Sequence, residues 1–185
     1  TIPIKERPIN QHWSWDKILR SPYIKQADVL QGFYFFSEDF NDDELLNNFN
    51  FYEKFTVHES SLSPSIHCIL ASRLNNMEKA YKYFIQASRL DLDDYNSEIR
   101  QGLHITSMGG SWMSIVEGFA GLKILKNKVS LNTKIPPKWN SYSFNLNVKN
   151  RIINVRVDKT STRINLLKGK NLDIILNNKK IQLTN

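Results

Sequence analysis

Near Val129 the spacing of apolar residues changes from every third or fourth residue to every second one, and this change limits the fold more than any other feature of the chain. Beyond it, Tyr142, Phe144, Leu146 and Val148 alternate with Ser141, Ser143, Asn145 and Asn147, the pattern of a half-buried strand. Ile153, Val155 and Val157 follow the turn Lys149-Asn150, and Thr162, Ile164 and Leu166 form the next strand. Gly169-Lys170-Asn171 turns into Leu172 to Leu176, and Asn177-Asn178 into Ile181 to Leu183; Asn178 tolerates the positive φ of a tight hairpin. Several short antiparallel strands, each with one apolar face, predict a small β-sandwich. The fold class is therefore α then β, with helical hairpins over residues 1–125 and the sandwich over 126–185.

Before the switch the spacing is helical. The first dozen residues contain two prolines, show no period and read as an arm. Ser21-Pro22 carries a cap signature, with Ala27, Leu30, Phe33 and Tyr34 following at helical spacing to about Phe36, which places Lys25 and Gln26 in a first turn. A lysine there opposes the helix dipole. Paired with an amide it could hold sugar hydroxyls or phosphate, or it could simply face solvent. Further helices are expected over Asp42 to Tyr52, Pro64 to Leu74, Met77 to Leu90 and from about Gly102 to Gly121, with links short enough for antiparallel hairpins.

Composition excludes several classes. The chain has 185 residues, 41% hydrophobic and 23% charged, which suits a packed domain rather than a disordered segment. No run approaches the roughly 18 apolar residues of a membrane span. The single cysteine, Cys68, rules out an internal disulfide or a cysteine metal cage, and its apolar helical setting suits a core residue. Residues 1–121 carry 11 Lys and Arg against 16 Asp and Glu, whereas residues 122–185 carry 14 against 2. The basic residues are scattered over alternating strands whose aromatics are Trp139, Tyr142 and Phe144, so no nucleic-acid stacking platform is expected.

The densest chemistry lies in Thr56-Val57-His58-Glu59-Ser60-Ser61-Leu62-Ser63, with Ser63 as a natural N-cap and Pro64 as a first helical residue. Hydroxyls and an imidazole above a helix N-terminus suit an anion; a capped loop with solvated side chains is the plainer alternative. Three aspartates in Arg89-Leu90-Asp91-Leu92-Asp93-Asp94-Tyr95 lack the glycine and distant glutamate of an EF-hand and read as a helix-ending turn. In Gly102-Leu103-His104-Ile105-Thr106-Ser107-Met108-Gly109-Gly110-Ser111-Trp112 the paired glycines allow close approach of a ligand or of another helix, and His104 is either a ligand contact or structural.

Taken in order with Ile24-Lys25-Gln26-Ala27-Asp28-Val29-Leu30 and Phe51-Tyr52-Glu53, these segments resemble family 65 of the glycoside hydrolases over about residues 13–183, and their wording is most similar to that of the maltose-cleaving members. The resemblance implies the C-terminal part of an (α/α)6 barrel followed by a β-sandwich, in a cytoplasmic inverting disaccharide phosphorylase. Phosphate would attack the anomeric carbon of a maltose-like disaccharide, giving β-glucose 1-phosphate and glucose, with inorganic phosphate as co-substrate and no metal or other cofactor. Hydrolases of the same family, or a non-catalytic carbohydrate-binding module, are the alternatives.

Carried over by motif, Lys25 and Gln26 would contact the glucosyl unit, and Ser60, Ser61, His104, Gly109 and Gly110 the phosphate, with His58 as a candidate partner. The family's acid, a glutamate in an Asp-Glu-Tyr segment upstream of the lysine-glutamine motif, has no counterpart here, and neither Glu53 nor Glu59 occupies its position. No catalytic residue is therefore expected in this chain. Apolar faces left by missing barrel helices would favour self-association or swapping of the arm at residues 1–14, and the intact enzyme is expected to be a homodimer.

Overall fold

Helix α5 (Ser63–Arg73) is buried continuously from Ser63 to Ser72, and the other helices are arranged around it. The computed structural model describes residues 2–95 and 97–184; Thr1 and Asn185, the outer ends of the two expected domains, lie outside them. Three short turns of helix, Ile4–Glu6, α1 (Ile9–His12) and α2 (Trp15–Leu19), precede α3 (Asp28–Phe35) and α4 (Asp42–Tyr52). After α5 come α6 (Met77–Ser88), α7 (Leu90–Asp93), a 3-10 turn at Ile99–Gln101 and α8 (Ile105–Met113), which runs on as a π-helical turn over Ser114–Phe119.

Local chemistry explains most of these boundaries. Asn41 and Glu44 form a capping box at the start of α4, where Asp42, Asp43 and Glu44 meet the positive end of the dipole. The Asn76 side chain caps α6 by accepting from the Lys79 N–H, after Asn75 has turned the chain at φ +59°. Arg73, at the end of α5, donates to Asp42 Oδ1 and to the carbonyls of Ser37 and Phe40, which fixes the loop between α3 and α4. Buried from Ser63 to Ser72, its Ser65 and His67 included, α5 must be enclosed on all sides. Leu30, Phe33, Leu45, Phe49, Phe84 and Phe119 supply much of that enclosure.

Two expected helix starts are displaced. The Ser21-Pro22 signature does not open a helix: Ser21 Oγ donates to the Ile18 carbonyl, and α3 begins only at Asp28. Ile24 instead forms a β-bridge and Lys25 a bend, with the Ile24 N–H on Phe55 O, the Val57 N–H on Ile24 O and the Glu59 N–H on Lys25 O. Backbone engaged sideways in this way cannot join a helical ladder, so Lys25 never meets the dipole. At α5 the capping position falls on Leu62, without a side-chain cap, because Ser63 Oγ is occupied by His58 Nδ1 at 2.9 Å.

The second half is a sandwich. One sheet has the order β1 (Lys123–Leu125), β2 (Lys128–Leu131), β6 (Leu172–Leu176), β7 (Lys179–Leu183); the other is the meander β3 (Ser141–Val148), β4 (Arg151–Asp158), β5 (Thr162–Lys168). Its first strand thus opens at Lys123, slightly before residue 126. The inner faces share Val129, Leu131, Leu146, Ile153, Val155, Leu166 and Ile174. One pairing departs from the antiparallel expectation: β2 and β6 run parallel, with Val129 opposite Ile174. The chain crosses to the second sheet and back between them, and such a crossover can return a strand in the same direction where a hairpin cannot.

Trp139 joins the two halves. Its ring packs edge-on against Phe84, Phe119 and Tyr81 of the helical part, and against Tyr142 of β3. Gly121, at φ +59°, makes the link possible, since a Cβ there would lie 2.6 Å from the Asn132 carbonyl oxygen. The arm folds onto its own chain through buried Ile2 and Ile9. Among the described residues, no helix is long and apolar enough to cross a membrane.

Candidate functional site

The backbone hydrogen bonds of residues 24 and 25 to 55–59 set Gln26 beside Ser60, whose Oγ donates to Gln26 Oε1 at 2.7 Å. The Gln26 amide nitrogen donates in turn to Asp28 Oδ1 at the start of α3. The exposed Lys25 ammonium and the half-buried Ser61 hydroxyl make no hydrogen bond or ion pair with any described residue. One residue from each candidate pair is thus locked to the other, while its neighbour is free to bind.

Glu59 secures this loop from below. It is 4% exposed, and its carboxylate accepts from the backbone N–H groups of Ile9 and Asn10 in the arm. Glu53, in the other matched glutamate segment, accepts from Lys79 Nζ at 2.8 Å and from the Tyr83 hydroxyl at 2.9 Å. Burial raises the Glu53 carboxyl, but the bonds from Lys79 and Tyr83 and the lysine charge outweigh it and leave it below the usual range.

His58 turns away from the loop surface. At φ +58° it directs its ring inward, 4.5 Å from the ring of His67 and 5.0 Å from that of Tyr83. Its position is therefore under the hydroxyl loop rather than beside its free groups. Burial, with lesser contributions from the nearby His67 and Lys82 charges, pushes His58 down to about 2. Burial likewise pushes His67 down to about 4. His67 is fully enclosed, donates from Nδ1 to the Ser63 carbonyl at 3.1 Å and leaves Nε2 without a partner among the described residues. Sequence reasoning passed over His67. The available signal was a histidine within Ile66–Ala71, a stretch otherwise free of strongly polar side chains.

Helix α8 brings in the remaining candidates. Gly110 is buried against the first turn of α5, where an added Cβ would lie 2.7 Å from both Cβ and Oγ of Ser65. Gly109, one residue earlier, is exposed with open space above it. His104 precedes the helix, with its backbone N–H on Asp91 Oδ2 at 2.9 Å and Nδ1 on Asp91 Oδ1 at 2.5 Å. Glu98 Oε2 lies 3.9 Å from His104 Nε2. No hydrogen bond joins His104 to Ser60 or Ser61. Asp91 was legible only as part of an acidic turn, because its partner lies 13 residues further along.

A cleft of about 630 Å³ lies elsewhere, between the helices and the first sheet, and none of these candidates lines it. Its polar walls are already committed: Tyr34 donates to Glu117 at 2.6 Å, Arg73 holds the α3–α4 loop, and Lys134 donates to the Ser72 carbonyl. Among the described residues, no group of three or more His, Cys, Asp or Glu could hold a metal ion.

Residues 2–113 match the glycosyl hydrolase family 65 central catalytic domain, and residues 122–183 match the glycosyl hydrolase family 65 C-terminal domain. The chain is 54% identical over 167 residues to the maltose phosphorylase of Bacillus subtilis (strain 168), covering 90% of this chain and 22% of that protein. It is 41% identical to the α,α-trehalose phosphorylase of Thermoanaerobacter brockii, covering 98% and 24% of the two chains. Against the kojibiose phosphorylase of Halothermothrix orenii the identity is 34%, with 96% and 23% covered. A solved structure described as a kojibiose phosphorylase from the human microbiome superposes with a TM-score of 0.92 at 43% identity, covering 99% of this chain and 27% of that one. The chain thus spans about a quarter of the length of these relatives.

Proposed function

This chain belongs to glycosyl hydrolase family 65, and on that premise we propose that it forms the glucose- and phosphate-binding quarter of an inverting disaccharide phosphorylase. The observation that carries the reading is the pairing of Gln26 with Ser60, which merges the candidate sugar contacts and the candidate phosphate contacts into one surface. Lys25 and Gln26 hold the glucosyl hydroxyls. The Ser60 and Ser61 hydroxyls, Gly109 and His104 hold phosphate on the face opposite the leaving group, and Gly110 seats α8 against α5. We place His58 beneath this surface, as a support rather than a ligand.

Phosphate is already an anionic nucleophile, so the reaction needs one carboxylic acid to protonate the leaving oxygen and no general base. Neither glutamate of the matched segments suits that task. Glu53 is held ionised by Lys79, and Glu59 is occupied by the backbone of the arm. We assign the acid to neither and expect it outside this segment. Maltose is the proposed substrate, because identity to the maltose phosphorylase is 54%, against 41% and 34% for the trehalose and kojibiose enzymes.

The test is an exchange enzyme in which this chain replaces the matching quarter of the Bacillus subtilis maltose phosphorylase. Phosphate-dependent release of glucose 1-phosphate is expected from maltose, and not from trehalose or kojibiose. Ser61→Ala and His104→Ala should each raise the KM for phosphate about tenfold or more, the cost of losing a hydrogen bond to a charged ligand. Unchanged phosphate dependence would remove both residues from the pocket, and glucose release indifferent to phosphate would mark a hydrolase.

A further inference from the structure

We propose that Asp91 is a positioning residue for His104, keeping a hydrogen on Nδ1 and so reserving Nε2 for an oxygen of the bound phosphate. The proposal rests on the reading of His104 as a phosphate contact.

The geometry comes from two short segments. Asp91 lies in α7, anchored by buried Leu90 and by the Arg89–Asp93 ion pair that brackets it. Its two oxygens divide between the backbone N–H of His104 and the imidazole Nδ1, so peptide and ring are gripped by one carboxylate. Both side chains are largely enclosed, the imidazole at 20% exposure and the carboxylate at 16%. The hydrogen bonds from His104 hold the Asp91 carboxyl below its usual range, so it is ionised at neutral pH.

An ionised carboxylate can only accept, so Nδ1 must carry a hydrogen. A histidine free in solution chooses between two tautomers; here the choice is removed. Nε2 then has two states. As part of an imidazolium it donates to an oxygen of the phosphate dianion; as a lone pair it accepts from the hydroxyl of the monoanion. The two pairs hold the same number of protons, and in both one hydrogen lies between Nε2 and a phosphate oxygen. Glu98, the other charged group that faces the ring among the described residues, is too far from Nε2 for a hydrogen bond.

Two measurements decide the matter. Long-range proton–nitrogen spectra of the 15N-labelled chain, with His104 identified by the loss of its signals in His104→Gln, should show a hydrogen on Nδ1 at every pH at which Asp91 is ionised. In Asp91→Asn the amide oxygen can take the backbone N–H and the amide N–H then faces Nδ1, so the neutral ring should carry its hydrogen on Nε2 instead. In the exchange enzyme the same substitution should raise the KM for phosphate about tenfold to a hundredfold, as a charge-assisted bond is lost, and move the pH profile of kcat/KM, while kcat at saturating phosphate changes much less.

A neutral wild-type ring protonated on Nε2 would overturn the proposal, and this spectrum suffices should Asp91→Asn fail to fold. So would an Asp91→Asn enzyme with an unaltered phosphate KM and pH profile when His104→Ala raises that KM. If His104→Ala itself leaves the phosphate KM unchanged, the phosphate reading fails, and the reserved role of Nε2 fails with it.

Discussion

Lowering the pH from 7 to 5 should destabilise the helical half of this chain by about 3–4 kcal/mol through two histidines alone. His58 and His67 are both neutral in the fold, held near 2 and near 4 by burial, and unfolding returns each to about 6.5. Their folded values lie below the unfolded ones, so the stability they permit is complete above about pH 6.5. It is lost as the pH falls from there toward about 4 for His67 and about 2 for His58. Between pH 6 and 5 the unfolded chain binds up to two more protons than the folded one, a slope approaching ~2.7 kcal/mol per pH unit. The total over two units is about 3–4 kcal/mol, since both rings stay essentially neutral in the fold over this range. That is a large share of the roughly 5–15 kcal/mol that stabilises a typical domain. The Glu53 carboxylate, held low by its partners, acts in the same direction only below about pH 4.5, outside this window.

The assay is denaturant unfolding, followed by helical circular dichroism at half-unit pH steps, on the wild-type chain and on His67→Phe. Phenylalanine keeps an aromatic ring between Phe49, Tyr83 and His58 and removes the unpartnered Nε2. The slope of stability against pH between 6 and 5 should fall by about 1.4 kcal/mol per unit in the variant. Identical slopes in the two proteins would refute the argument, because they would mean that His67 is not kept neutral by its surroundings.

Gly110→Ala should destabilise by about 1–3 kcal/mol despite the better helix propensity of alanine, since the new methyl meets Ser65 at 2.7 Å where the inner face of α8 lies on buried α5. Gly109→Ala, with nothing within 4 Å, should not, and thermal unfolding of the pair checks the contrast. Glu59→Gln should cost about 1–3 kcal/mol by replacing a charged acceptor of the Ile9 and Asn10 N–H groups. The arm should then be cut faster by a broad-specificity protease; cleavage at the wild-type rate would show that Glu59 does not hold it.

The strands were legible because the signal for a half-buried strand is local. Alternation at Tyr142 to Val148 and turn residues at Lys149-Asn150 and Asn177-Asn178 state both the faces and the ends of the elements. The helices of residues 42–52 and 77–88 were legible for the same reason, through caps and spacing, and that of 63–73 through Pro64 in its first turn. A local signal also misled, at Ser21-Pro22, where the capping residues are genuine but a partner 32 residues away, Thr56, draws the backbone into extended pairing. Membership of the family was legible in five ordered segments. The site was not fully legible, since which candidates touch depends on the packing of distant segments. Gln26 meets Ser60 across 34 residues, Asp91 grips His104 across 13, and Gly110 lies against Ser65 because two helices cross there. By itself, then, the sequence determined the elements, their order and the residue types available for chemistry, because period, caps and turns act over a few residues. Only the tertiary structure decided that His58 turns inward, that His67 is enclosed without a partner for Nε2, and that Asp91 orients His104, because burial and hydrogen-bond geometry arise between segments that the chain itself keeps apart.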